Sequence, residues 1–143
     1  GIELVWQAHD VGVPGLDVGG SATWVDSKIM ENSLAPATVG NYWMRIPQQR
    51  YVLQASYRPN AQWTYGANYR LAGRNFNTPT NTDTNPDTFG GISSVNQLDL
   101  RADWKFAKSW NWAVGVDNVT ASQAWQAHSL PQRSVQTELR YRM

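Results

Sequence analysis

The run SVQTELRYRM (134–143) alternates apolar and polar positions without a break. Val135, Thr137, Leu139, Tyr141 and Met143 fall on one side, Gln136, Glu138, Arg140 and Arg142 on the other. Successive side chains of an extended backbone point to opposite faces, so the pattern predicts a strand with one apolar and one charged face. The same period recurs six more times. Ile2, Leu4, Trp6 and Ala8 alternate with Glu3, Val5, Gln7 and His9, and the run stops at VGVPG (11–15), a turn of Gly and Pro. A second strand sets Leu16, Val18, Gly20, Ala22 and Trp24 against Asp17, Gly19, Ser21, Thr23 and Val25. A third sets Tyr51, Leu53, Ala55 and Tyr57 against Val52, Gln54, Ser56 and Arg58. In the fourth, Trp63, Tyr65, Ala67, Tyr69 and Leu71 oppose Thr64, Gly66, Asn68 and Arg70. The fifth is the cleanest, with Leu98, Leu100, Ala102, Trp104 and Phe106 against Gln97, Asp99, Arg101, Asp103 and Lys105. At helical spacing those apolar residues would scatter around the cylinder, which excludes a helix there. The sixth presents Trp110, Trp112, Val114 and Val116 opposite Asn111, Ala113, Gly115 and Asp117.

The connections alternate too. Short turns (11–15, 59–62, 107–109) are separated by long polar stretches at about 31–47, 73–94 and 120–132. Strict alternation sorts short turns to one end and long loops to the other, as in an antiparallel up-and-down barrel. Tyr57, Trp63, Phe106, Trp110 and Tyr141 lie on the apolar face near a short turn or near the last residue. Trp24, Tyr69 and Leu71 lie some seven to nine residues further along their strands. Two aromatic belts with smaller residues between them describe a surface crossing about 25 Å of hydrocarbon. A soluble sandwich would instead concentrate its large aromatics at the centre. Slipping the fifth strand by one residue would turn Arg101 and Lys105 toward lipid, at about 2–4 kcal/mol each near the midplane. Asp99, Arg101, Asp103, Lys105, Glu138, Arg140 and Arg142 are therefore expected to face the lumen, solvated or bridging to an inner domain.

Composition narrows the class further. A net charge of +1 on 143 residues gives no electrostatic case for nucleic acid, so the eight Trp, six Tyr and three Phe need another explanation. The absence of cysteine excludes a disulfide scaffold and thiolate metal sites. No apolar run approaches the roughly 18 residues of a spanning helix, and GIELVWQAHD does not read as a signal peptide. Half-apolar barrel strands escape such a test.

Candidate chemistry is sparse. His9 and His128 are expected on opposite rims, which leaves no shared metal site, and nothing around Ser129 resembles a nucleophile elbow. Asp83, Asn85 and Asp87 have the alternate spacing of a calcium loop. Thr88 stands where Gly is wanted, Pro86 stiffens the middle and Ser94 replaces the bidentate Glu. A solvated outer loop is expected there. Asn118-Val119-Thr120 matches a glycosylation sequon but reads as a strand end. No enzyme and no cofactor are expected.

Three stretches carry a family resemblance: MRIPQQRYVLQASYRPNAQWTYGANYRLAGR (44–74), VNQLDLRADWKFAKSWNWAVGVDNVTASQAW (95–125) and the closing RSVQTELRYRM. The Ile-Pro before a strand, LDLRADW, VDNV before an outer loop, and RYR resemble, in order and spacing, the C-terminal end of the barrel of a TonB-dependent outer-membrane receptor. Met143 departs from the family's usual terminal Phe or Trp. The resemblance implies a receptor in the outer membrane of a Gram-negative bacterium. Such a receptor imports a scarce metal chelate of siderophore type, or a similar ligand, with energy transmitted by TonB. It also implies an all-β fold. The seven strands of 1–143 would be the C-terminal segment of a transmembrane barrel of 22 strands, with plug domain and earlier strands outside this chain. The edges at Gly1–Val11 and Ser134–Met143 would then need partner strands. The expected partners are outer-membrane lipid, those strands and plug, TonB and the chelate. Since ligand contacts in this family come from plug and outer loops, Tyr42, Trp43, Arg45, Arg74, Phe76 and Trp125 are the candidates here: aromatics give flat apolar surface and arginines suit anionic chelates. Two alternatives stand beside this: a small complete outer-membrane barrel acting as a passive pore or adhesion protein, and a soluble lipocalin-like barrel, whose inward face should be apolar.

Overall fold

The computed structural model describes residues 1–83 and 85–143. Apart from one 3-10 turn at Pro36–Thr38, its regular elements are all strands: β1 (Ile2–Ala8), β2 (Leu16–Trp24), β3 (Gln49–Tyr57), β4 (Trp63–Ala72), β5 (Val95–Ala107), β6 (Trp110–Asp117), β7 (Trp125–Gln126), β8 (His128–Ser129) and β9 (Ser134–Tyr141). Seven of them form one antiparallel sheet in the order β1-β2-β3-β4-β5-β6-β9. All seven runs of alternation are strands of this sheet, and each pairs with the next. The fold is that of an up-and-down barrel wall.

Register explains why one face is apolar throughout. Directly paired residues share a face. Ala8, Val18, Ala55, Ala67, Leu100, Val116 and Val135 pair in a single row, one from each strand. The adjacent row on the opposite face reads Asp17, Ser56, Gly66, Arg101, Gly115 and Gln136. Gly66 and Gly115 flank Arg101 and leave room for its side chain. The register slips once, between Trp104 and Ala107, where β5 carries an extra residue before the turn into β6. Such a bulge sharpens the local twist, and Phe106 stays beside Trp104, with ring centres 5.3 Å apart.

No closed core covers the apolar face. Leu100 is 43% exposed, Leu4 56% and Leu139 61%. An apolar surface this continuous marks an interface with lipid or another protein. Among the described residues the buried apolar ones are Ile29, Ile92 and Ala124, all in the long connections, and Ala113 of β6.

Turn chemistry fixes the two ends. At VGVPG the Asp10 carboxylate accepts the Gly15 N–H at 2.6 Å, and the Gly15 carbonyl accepts the Arg58 N–H at 2.8 Å. Gly15 has φ of +82° and a Cβ there would sit 2.3 Å from the Arg58 carbonyl oxygen, so only Gly fits. The long loops are folded rather than loose. In the first, Lys28 bridges to Tyr42, and Asn32 receives the Ala35 N–H at 3.1 Å while donating to the Thr38 hydroxyl at 3.0 Å. In the third, β7 and β8 form a tight hairpin about Ala127, whose φ is +65°. Two-residue strands carry no readable period, so the alternation that announces the wall is silent about this hairpin. The last strand ends at Tyr141, two residues short of the alternating run, while the Arg142 N–H donates to the Ser109 carbonyl at 2.9 Å.

Candidate functional site

Two sets of side chains stand out, one on the polar face and one among the long loops. The polar face lines an open hollow of about 790 Å³ that includes Asp17, Asn68, Asp99, Arg101 and Gln136. Its charges are largely paired with one another. Arg101 donates to Asp103 at 2.9 Å and reaches Glu138 at 3.5 Å, and Arg140 donates to both Glu138 oxygens at 2.8 and 2.6 Å. Asp99 accepts from Arg70 at 2.9 Å, from the Asn68 amide at 3.3 Å and from the Asn118 N–H at 2.9 Å. Asp17 holds Arg58 and lies 3.1 Å from the His9 ring. Lys105 and Arg142 make no ion pair among the described residues. Most of these groups are thus paired along the wall while staying partly exposed to solvent.

On the apolar face, aromatic rings form a continuous file at the short-turn end. Trp63 stacks on Trp104 at 5.3 Å, Trp104 meets Phe106 at 5.3 Å, Phe106 meets Trp110 at 6.4 Å and Trp110 meets Tyr141 at 4.9 Å. Tyr57 pairs across the sheet with Tyr65, which stacks on Trp63 at 5.6 Å. At the other end Trp24 packs edge-on against Tyr51 at 5.6 Å. Tyr69, opposite Leu53 and Leu98, sits four residue pairs short of the level of Trp24. Trp112 lies on this face as well, and its indole N–H donates to the Thr137 hydroxyl at 2.8 Å, which satisfies both groups on an apolar surface.

Among the loops, four of the six candidates come together. The rings of Tyr42 and Phe76 lie parallel at 6.4 Å, the Arg74 guanidinium covers Phe76 at 5.2 Å and the Lys28 ammonium covers Tyr42 at 5.4 Å. Each of the two parallel rings thus carries its own cation. Arg45 joins through its N–H to the Phe76 carbonyl at 2.8 Å and its side chain to Asn77 at 3.0 Å. Trp43 stacks on none of these rings and is 49% exposed. Trp125 belongs to a second group, where its N–H donates to the Ser93 hydroxyl at 2.9 Å, close to His128 and its edge contact with Phe89 at 5.3 Å.

The residues that knit this end together are amides. Asn81 accepts the Tyr42 N–H at 2.7 Å and donates back to the Tyr42 carbonyl at 2.9 Å, tying the first long loop to the second. The Asn41 amide donates to the Pro79 carbonyl at 3.0 Å. Asn118, 2% exposed and at φ +51°, accepts the Ser122 N–H at 2.9 Å and donates to the Ser122 carbonyl at 2.8 Å. Reading Asn118 as a plain strand end misses this role; its signal is an Asn placed where the backbone turns left-handed. The described residues around Asp83 are likewise not simply solvated. Asp83 accepts the Asn77 N–H and the Thr78 hydroxyl, and its carbonyl accepts from Arg74 at 2.9 Å. The carboxylate that heads the calcium-like spacing is spent on its own loop. Among the described residues no three His, Asp or Glu converge as metal ligands.

A family model described as TonB dependent receptor-like, beta-barrel matches residues 1–119. Among solved structures, the siderophore receptor PiuA from Acinetobacter baumannii is similar at a TM-score of 0.81 and 17% identity, over 97% of this chain and 21% of that one. The ferric citrate transporter FecA in its unliganded form is similar at 0.75 and 20% identity, over 92% of this chain and 22% of that one. A ferric enterobactin receptor mutant (PfeA) from Pseudomonas aeruginosa, in complex with enterobactin, reaches 0.64 at 14% identity, over 97% and 21%. The chain thus spans about a fifth of the length of these receptors. No curated protein sequence matches it.

Proposed function

Since the chain belongs to the TonB-dependent receptor β-barrel family, whose members are receptors and transporters rather than enzymes, we propose that it forms part of the outer-membrane wall of a receptor importing a siderophore-type metal chelate. In this reading residues 1–143 are the C-terminal segment of the barrel. Earlier strands pair with the open edge of β1, and the circle closes on β9, because unpaired strand edges are not tolerated in lipid. The plug fills the lumen beside the hollow lined by Asp99 and Arg101, and TonB acts through it.

The observation that carries the reading is the division between the two faces. One row of aliphatic residues crosses all seven strands uncovered, while the adjacent row of the opposite face is polar. Lipid satisfies the first and a watery lumen the second. The soluble lipocalin-like alternative needs the reverse. The ligand role falls to the Lys28, Tyr42, Phe76 and Arg74 cluster with Arg45, since flat rings beside cations suit an anionic chelate with aromatic groups.

The test is uptake of radioactive iron chelates by cells that carry or lack the parent receptor, with and without TonB. Uptake that needs both supports the reading. Uptake that persists without TonB marks a passive pore instead, and a receptor that fractionates with soluble protein ends the proposal. Replacing Phe76 by Ala, with the barrel intact, should lower uptake at limiting chelate by about tenfold, on the scale of a lost ring stack and its cation contact.

A further inference from the structure

Away from the loops, the β5–β6 turn and the end of β9 flank a small half-open pocket of about 220 Å³ at the short-turn rim, lined by Lys105, Lys108, Ser109, Asn111, Arg140 and Arg142. Four of these six are cationic. The acids within reach, Asp103 and Glu138, are already engaged by Arg101 and Arg140. Lys105, Lys108 and Arg142 make no ion pair among the described residues. The cluster is built by the backbone, because the bond from the Arg142 N–H to the Ser109 carbonyl holds the end of β9 against the turn. Like charges gathered in one hollow raise the free energy unless an anion sits among them.

We propose that this pocket binds a phosphate oxyanion. Guanidinium forks and ammonium groups match its charge, and the Ser109 hydroxyl and Asn111 amide add neutral donors. Phosphate at this spot has two sources, an anionic phospholipid headgroup and free phosphate. Asn111 and Arg140 pair on the polar face and Trp110 and Tyr141 on the apolar one, so the pocket meets lipid only at the strand ends, and there the neighbouring aromatics favour the lipid. Trp110 edges the pocket and packs on Tyr141 at 4.9 Å, and such rings sit at headgroup level when strands cross a bilayer, where clustered Lys and Arg attract anionic lipid. The inference rests on the proposed membrane reading of these strands.

The experiment uses the parent receptor in nanodiscs made with and without phosphatidylglycerol. Insertion is scored first by heat-dependent gel mobility, so that a receptor that stays out of the disc refutes the membrane reading and this site with it. Native mass spectrometry then counts retained phosphatidylglycerol, and a titration with inorganic phosphate runs in parallel. The combined variant Lys105→Gln, Lys108→Gln, Arg142→Gln should bind the headgroup roughly a hundredfold more weakly. The charge-keeping variant Lys105→Arg, Lys108→Arg, Arg142→Lys should bind as the native receptor does. Loss of inorganic phosphate binding with lipid retention unchanged keeps the site and makes free phosphate its ligand. Equal binding of both by native and neutralised receptors overturns the proposal.

Discussion

The two ends of the sheet are held by different forces. At the short-turn end, rings stack from Trp63 through Trp104, Phe106 and Trp110 to Tyr141, and the connections are only a few residues long. At the long-loop end, order comes from Asn32 and Asn118, which bond backbone groups three and four residues away, and from Asn81, which bonds the backbone of Tyr42 in another loop. Ring stacking does not depend on excluding water from a closed core, so it can order a face that no protein core covers. Loops in water gain little from exposed rings, and their backbone groups must be satisfied one by one. The contrast teaches that the wall is specified by period and the loops by individual side chains.

The sharpest way to break the comparison is a charge in the aliphatic row. Leu100→Arg should destabilise the barrel by about 2–4 kcal/mol if that row meets hydrocarbon near the midplane. Gln136→Arg, in the adjacent row of the opposite face, should cost about half a kcal/mol or less. Denaturant unfolding of the receptor from lipid vesicles measures both. Equal costs for the two would mean that the faces do not differ in what they touch, and the membrane assignment would fail.

The next effect in size belongs to Asn118. Asn118→Ala loses the pair of bonds with Ser122 and places a Cβ-bearing residue without a local bond at φ +51°. Roughly 1 kcal/mol for each bond and about 1 for the left-handed backbone give a local loss of about 3 kcal/mol. Hydrogen exchange across 118–132 should quicken by about a hundredfold while β3 and β4 are unchanged. Asn118→Gly keeps the backbone favourable and should recover about a third of the loss. If the alanine variant leaves exchange unaltered, the loop is held by something other than this amide.

This difference in forces explains what the sequence discloses. The seven strands, their faces and the sorting of turns follow from period-two alternation, because a strand in a one-sided environment must repeat every second residue. The fifth strand shows it best: Leu98 to Phe106 against Gln97 to Lys105 holds in register until the bulge after Trp104, which no alternation announces. The convergence of Tyr42 and Phe76 is also out of reach. Their separation in sequence is bridged by Asn81, and an Asn in a polar loop looks the same whether it caps a neighbouring loop or faces water. Lys28 escapes a reading of the sequence for the same reason, since its partner Tyr42 is reached only once the Lys28–Tyr42 bridge has formed.

The smallest expected effect concerns the charges of the polar face. Glu138 is shared by Arg101 and Arg140, yet its side chain and theirs are each more than two-fifths exposed. Water screens such pairs and long side chains lose freedom in forming them, so the net stabilisation is slight. Glu138→Gln should leave unfolding of the receptor within experimental error at high salt and shift it only marginally at low salt. Its consequence should instead be electrostatic: with the carboxylate gone, Arg140 faces Arg142 and Lys105 unneutralised, and anion binding at the short-turn rim should tighten. A glutamine variant that unfolds as readily as Leu100→Arg would show that the paired charges, rather than the aliphatic row, hold the wall together.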